Sequence, residues 1–175
     1  MRVIAGEFRS RKLLTLPGIE TRPTPDRLRE SLFSILTPMI EDCVFVDAYA
    51  GTGAVGIEAV SRGARQAVFI ENSRPAVEVI RKNIQTLGIQ DRTRVVQARS
   101  SASSAEFKAA DIVFADPPYT QQREYSAFFE AVHGALPGLL IVQHSIRLAL
   151  EARYGDLRRT RILTQGENSL SFYQL

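Results

Sequence analysis

From residue 43 onward the chain alternates short apolar runs with helical stretches, and this rhythm restricts the fold more than any other feature. The runs 43–47 (CVFVD), 67–71 (AVFIE), 94–97 (RVVQ), 111–115 (DIVFA) and 139–143 (LLIVQ) read as strands. The stretches after them read as helices: one ending near Gly63, one over 74–87 stopped by Gly88, a weakly marked one after residue 97, one over 122–135 and one over 145–153. The early strands are continuously apolar, which fits a parallel sheet covered on both faces. Repeated βα units predict a doubly wound α/β domain. The final runs, 158–164 and 169–174, have no helix between them, only a turn near Gly166-Glu167-Asn168. They predict an antiparallel hairpin at one sheet edge. Ahead of the alternation, 2–8 and 11–16 suggest a small hairpin turning near Arg9-Ser10, followed by a helix. Thr24 suits its N-cap, Pro25 its first position, and Leu28, Leu32, Ile35 and Leu36 its apolar stripe. The chain thus divides into an N-terminal extension, 1–40, and a main domain, 41–175.

Two motifs sit at strand ends in this plan. Residues 47–56 read DAYAGTGAVG, so Gly51, Gly53 and Gly56 form G-x-G-x-x-G between a strand and a helix. Glycine there allows a tight turn, close approach to a ligand and close helix–strand packing. Glu71 ends the next strand with Asn72 beside it, and a carboxylate there can accept hydrogen bonds from both hydroxyls of a ribose. This much fits NAD as well as S-adenosylmethionine. Asp47 favours the latter. An acid before the loop would repel a pyrophosphate but can hold the amino-acid end of S-adenosylmethionine, and it can also shape the turn. Tyr49, inside the loop, either contacts the methionine part or packs.

The second motif, Asp116-Pro117-Pro118-Tyr119, follows the fourth strand and should face the same crevice. The amino nitrogen of a base is a poor nucleophile because its lone pair is delocalised into the ring. Acceptors on both N–H bonds would localise that pair. The Asp116 carboxylate supplies one acceptor and the Pro117 carbonyl the other, on a backbone stiffened by two prolines. Tyr119 can stack on the base. An ordinary Asp, with a pKa of about 3.9, orients the amine without deprotonating it before attack. An NAD-dependent oxidoreductase would leave this motif unexplained; adenine-N6 methylation of DNA would use it equally well.

Charge and composition narrow the partners. The formal net charge is +3. Residues 1–30 hold seven basic and four acidic residues, while the remainder balances. A basic segment beside a neutral body fits a polyanion-binding arm in which Arg9, Arg11, Lys12, Arg22, Arg27 and Arg29 track phosphates. The single Cys43 excludes an internal disulfide and, with two histidines, leaves no metal-ligand cluster. Cys43 also begins the first strand, away from the crevice mouth, which disfavours methylation at a ring carbon. His133 reads as structural, and Ser145 as a helix N-cap beside His144. No apolar run is long enough for a bilayer and no signal-peptide core is visible, so a soluble cytoplasmic protein is expected; a monomer is the separate expectation for its oligomeric state.

With these residues in place, the chain resembles the bacterial 16S ribosomal RNA (guanine-N2)-methyltransferase family, RsmD type. The stretches RVIAGEFRSRKL, TRPTPDRLRESLFSIL, VDAYAGTGAVGIEAVSRGA and FADPPY carry the resemblance in order, over nearly the whole length. It implies a class I S-adenosylmethionine-dependent methyltransferase fold and transfer to a guanine N2. The substrate it implies is an assembling small subunit. By position it implies cofactor contacts at Asp47, Gly51, Gly53 and Glu71 and catalysis at Asp116, Pro117, Pro118 and Tyr119. It adds Thr24 to Arg22, Arg27 and Arg29 as the RNA-contacting segment. One departure stands out: Arg99 or Ser100 falls where such enzymes often place an Asp or Asn to meet the cofactor adenine.

Overall fold

The structure, a computed structural model, describes residues 1–16, 26–118, 122–135 and 137–175. Its centre is one eight-stranded sheet. The strands are β1 (Val44–Asp47), β2 (Gln66–Glu71), β3 (Thr93–Gln97), β4 (Ile112–Ala115), β5 (Leu139–Ser145), β6 (Arg153–Tyr154), β7 (Leu157–Gln165) and β8 (Asn168–Gln174). They lie in the order β3-β2-β1-β4-β5-β8-β7-β6. The first five are parallel, β8 runs antiparallel to β5, and β7 and β6 follow antiparallel. This is the doubly wound, mostly parallel sheet with an antiparallel C-terminal hairpin that the pattern predicts. Gly166, at φ +61°, turns β7 into β8 through a two-residue loop.

Among the described residues five helices cover the sheet: α1 (Asp26–Leu36), α2 (Ala54–Ser61), α3 (Arg74–Leu87), α4 (Ser104–Lys108) and α5 (Gln122–His133). Strand side chains alternate between faces, so each face has its own core. On one face, Leu28, Leu32, Phe33 and Leu36 of α1 and Val55 and Ala59 of α2 pack on Phe45, Phe114, Ile141 and Phe172. Nearby, Ile57 of α2 and Ile80 and Ile84 of α3 cover Ala67 and Phe69, joined by Val3 and Leu13 from the N-terminal segment. On the other face, Phe107 of α4 and Tyr125, Phe128, Phe129 and Val132 of α5 cover Val46, Val113, Leu140, Val142 and Tyr173. The apolar stripe predicted for α1 is therefore the one it buries, with Ile35 at its margin. Its expected cap, Thr24, and Pro25 lie outside the described residues.

Two expectations are corrected. No helix spans 145–153: Ser145 ends β5, a turn follows, and β6 begins at Arg153. The Ser145 hydroxyl accepts the Arg147 N–H at 3.2 Å within that turn, so it caps no helix. Tertiary partners replace the helical ladder. Tyr173 donates to the Glu151 carbonyl at 2.9 Å, and Arg159 donates to the Leu150 carbonyl at 3.0 Å. Leu150 is the buried apolar residue of the stretch, so no helical stripe forms. The N-terminal hairpin is also slighter than its alternation suggests, with one antiparallel bridge, Arg2 to Lys12. Residues 4–8 turn instead to α2. The fully buried Glu58 carboxylate accepts the N–H groups of Ile4 and Ala5 at 2.8 and 3.0 Å, and the Ser61 carbonyl accepts that of Glu7 at 2.8 Å. Gly6, at φ +81°, is required there, because a Cβ would stand 1.9 Å from the Ser61 carbonyl oxygen.

Candidate active site

The strand order reverses between β1 and β4, and in such sheets the ligand crevice lies beyond the carboxyl ends of the strands at that point. Asp47 of β1 is in register with Phe114 of β4, and the Ala48 N–H donates to the Phe114 carbonyl at 2.8 Å. Asp116 therefore emerges beside the glycine loop. Asp116 is half-buried, Pro117 buried and Pro118 exposed, and Tyr119 lies outside the described residues.

The three glycines of the loop meet three different demands. Gly51 adopts φ +55°, and a Cβ there would have open space, so the loop exposes bare backbone. Gly53 adopts φ +80° and precedes α2. Gly56 lies against the sheet, where a Cβ would come within 2.4 Å of the Phe69 ring.

Carboxylates at both strand ends brace this loop. Asp47 is 1% exposed, and its Oδ2 accepts the Gly56 N–H at 3.0 Å. Burial raises its pKa to about 7, the Gly56 bond opposes the rise, and the negative charge of Glu71 adds to it. Its contacts are those of the turn-shaping role. Glu71 accepts the Gly51 N–H at 2.8 Å on one oxygen and the Ser73 N–H at 2.7 Å on the other. Each oxygen keeps a second lone pair, so the group can still meet a diol. Asn72 is exposed beside it. Ser100 is buried and donates to the Ala48 carbonyl, turning its hydroxyl toward the β1 end; Arg99 is exposed.

The first turn of α5 holds two residues that the sequence reading passed over. Tyr49 donates to Glu124 Oε1 at 2.9 Å and sets its ring edge-on to Phe128, 5.6 Å between centroids. Of the two roles open to Tyr49, packing is the one its contacts display. Its hydroxyl is held protonated, first by burial and then by Glu124. Tyr125, buried, directs its hydroxyl at two carbonyls, Pro117 at 3.3 Å and Gln143 at 3.4 Å. Adjacent residues of one helix thus fasten the glycine loop and the Asp-Pro-Pro turn. Their spacing from the motif carried no signal, because sequence alone does not tell how α5 lies against the strand ends.

The expected RNA-contacting residues divide. Arg9, Arg11, Lys12 and Arg27 are exposed, and Arg22 and Thr24 lie outside the described residues. Arg29 is the exception: it is 1% exposed, and its guanidinium donates to the Arg2 carbonyl at 2.7 Å and to Asp26 at 3.1 Å. Burial lowers its pKa, and the Glu58 and Asp26 charges counter this. A guanidinium so enclosed ties α1 to the N-terminal segment and cannot reach a phosphate outside, contrary to the expectation for it. His144 is buried within β5, with Nε2 2.9 Å from the Ser171 hydroxyl. His133 lies over the turn at Gly155.

The same arrangement recurs in known proteins. Residues 1–174 match the protein family described as Conserved hypothetical protein 95. Ribosomal RNA small subunit methyltransferase D of Escherichia coli is 41% identical over 120 residues, which cover 68% of this chain and 60% of that protein. YlbH of Bacillus subtilis, named as a candidate rRNA methyltransferase, is 31% identical over 189 residues, covering 99% of this chain and 98% of its own. A solved structure of yhhF from Escherichia coli, described as a candidate methyltransferase, superposes with a TM-score of 0.86 at 32% identity, covering 99% of this chain and 97% of that one. The strand order and the antiparallel ending are those of the class I methyltransferase fold.

Proposed function

The chain belongs to the Conserved hypothetical protein 95 family, of the RsmD type, and on that premise we propose that it methylates the exocyclic N2 of a guanine in 16S ribosomal RNA. S-adenosylmethionine is the donor in this reading, and the substrate is the small subunit or an intermediate in its assembly. The observation that carries it is the exit of Asp116-Pro117 from β4 directly beside the glycine loop after β1. The residues suit the cofactor. Bare backbone at Gly51, open on its ligand side, and a diol-accepting carboxylate at Glu71 would hold the nucleoside end, with Gly53 and Asn72 completing that wall. Asp47 shapes the loop from beneath and Tyr49 ties it to α5. When bound, S-adenosylmethionine supplies an electrophilic methyl group on a sulfonium.

The chain's own residues then prepare the nucleophile. The Asp116 carboxylate and the Pro117 carbonyl accept the two N–H bonds of the base amine and draw its lone pair out of the ring. The Tyr125 hydroxyl fixes the direction of that carbonyl, and Tyr119 provides a stacking surface. The surplus proton leaves after transfer, toward Asp116 or water. The target must be unpaired or flipped out to reach the crevice. Functionally the chain divides near residue 40. Residues 41–175 carry the chemistry, and residues 1–40 approach the RNA through Arg9, Arg11, Lys12, Arg22, Thr24 and Arg27. We place its work in the cytoplasm, as a monomer.

The deciding experiment supplies labelled S-adenosylmethionine and small subunits lacking the native modification, with unmodified DNA in parallel. Label in N2-methylguanosine is the expected result. Label in N6-methyladenine of DNA would keep Asp116 in its role and overturn the substrate.

A further inference from the structure

The charge beyond residue 30 balances in total but not in place. Residues 153–161, RYGDLRRTR, hold four arginines and one aspartate, and they form β6, its turn and the start of β7. Arg153 pairs directly with Arg158 across the two strands. Partners in register project to the same face, so two arginine side chains leave the sheet on one side, where like charges cost stability; the Arg153 Nε–H also donates to the Gly155 carbonyl at 2.7 Å. Farther along, Arg158 faces Gln174 and Arg161 faces Phe172, with an irregularity between Arg159 and Arg161. Gln174 and Phe172 are two residues apart on β8 and so share a face. Arg153, Arg158 and Arg161 therefore share it too, and Phe172 shows which face it is, since it packs under α1.

All three arginines are exposed, and among the described residues no ion pair reaches them. Past the partly buried Leu163, the same face of β7 ends at Gln165 beside α1. Ser31 of α1 meets Gln165, the last residue of β7, at 3.4 Å, and Arg27 lies one helical turn before Ser31 on the same side. Protection of a sheet edge would explain one charge here. It does not explain two like charges set opposite each other, which repel unless an anion lies between them.

We propose that this face of β6 and β7 is a second polyanion-binding surface, on the same side of the sheet as Arg27, that takes the phosphodiester backbone of the RNA away from the target nucleotide. It rests on the reading of the chain as an enzyme acting on ribosomal RNA. Repulsion between Arg153 and Arg158 is relieved when phosphates enter, so part of the cost in the free protein is returned on binding. The contacts are to backbone and add affinity without base selectivity.

The test replaces Arg153, Arg158 and Arg161 together by Gln. Binding of a small-subunit rRNA transcript is measured from about 50 to about 300 mM KCl, where each phosphate contact adds about 0.7–0.9 to the slope of log affinity against log salt. The expected variant slope is shallower by about 2–3, with affinity at the lowest salt down about 10- to 100-fold. Cofactor affinity is unchanged, and the melting temperature is equal or higher because the opposed guanidinium groups are gone. Parallel slopes for variant and wild type would overturn the proposal, whether or not methyl transfer occurs. A wild type that binds the transcript through these arginines yet methylates no RNA would uphold the surface and remove the functional reading instead. Should the triple variant not fold, Arg161→Gln alone must lower the slope by about one.

Discussion

At the scale of single residues, the crevice is governed by what surrounds each carboxylate. In the proposed reaction Asp116 is the acceptor on which transfer depends, so Asp116→Ala should lower turnover by roughly 10²–10³, as for loss of one transition-state hydrogen bond. Cofactor affinity, measured by titration, should hardly change; near-normal turnover would remove Asp116 from the mechanism. Asp47 differs because it is sealed from water. Its pKa stands at about 7 in the folded protein and about 3.9 in the unfolded chain. The folded state therefore binds a proton that the unfolded state has released, and this contribution to stability is complete below about pH 4 and lost as pH rises through about 7. Asp47→Asn can still accept the Gly56 N–H but does not titrate. Thermal unfolding across pH should show a flatter profile for the variant, which becomes the more stable protein at pH 8 by about 1–4 kcal/mol. Profiles of equal slope would show that Asp47 ionises normally. Gly56→Ala would push a methyl group into the Phe69 ring. The expected loss is about 1–3 kcal/mol, read from denaturant midpoints.

Among elements, docking of the N-terminal segment onto α2 is the contact most open to attack. Glu58, fully buried, holds the Ile4 and Ala5 N–H groups and the Arg62 guanidinium at once. Glu58→Gln keeps an acceptor but removes the charge and should cost about 1–3 kcal/mol. Hydrogen exchange should quicken first at residues 3–13, while β1 and β4 stay protected; uniform quickening would mean that the segment does not open separately. None of this could be read from the sequence, where Glu58 sits in a helix without any sign that it meets residues 53 and 54 positions away. The sheet was legible, because buried parallel strands write themselves as apolar runs and glycines mark the turns. The missing helix after β5 was not. Its residues favour a helix locally, and what prevails are bonds from Tyr173 and Arg159, which arrive from strands later in the chain. The site divides the same way. The motif residues Asp47, Gly51 and Asp116 were legible from their strand-end positions, whereas Tyr125 and Glu124 depend on how α5 lies over the crevice. Arg29 misled because α1 is covered on two sides, by the sheet and by the segment before it.

For the molecule as a whole, α1 and the N-terminal segment are part of the cores they cover. Leu28, Leu32, Phe33 and Leu36 are each essentially fully buried. At roughly 1.5–3 kcal/mol apiece, they rival the about 5–15 kcal/mol that holds a domain together. Deleting residues 1–40 should therefore leave a chain that aggregates or unfolds at ordinary temperature, and the intact chain should melt in one calorimetric transition. Separate melting of the extension would contradict this. The position of β8 has a consequence in time. It lies between β5 and β7 in space but follows both in the chain. During synthesis, every residue of β5 emerges before the strand that will cover its open edge. Until residues 168–174 follow, the apolar run Leu139–Val142 is an unpaired border able to recruit strands from neighbouring nascent chains. The completed enzyme is sealed along this line, and the half-made one is sticky there, so chaperone demand and misassembly should concentrate in that interval.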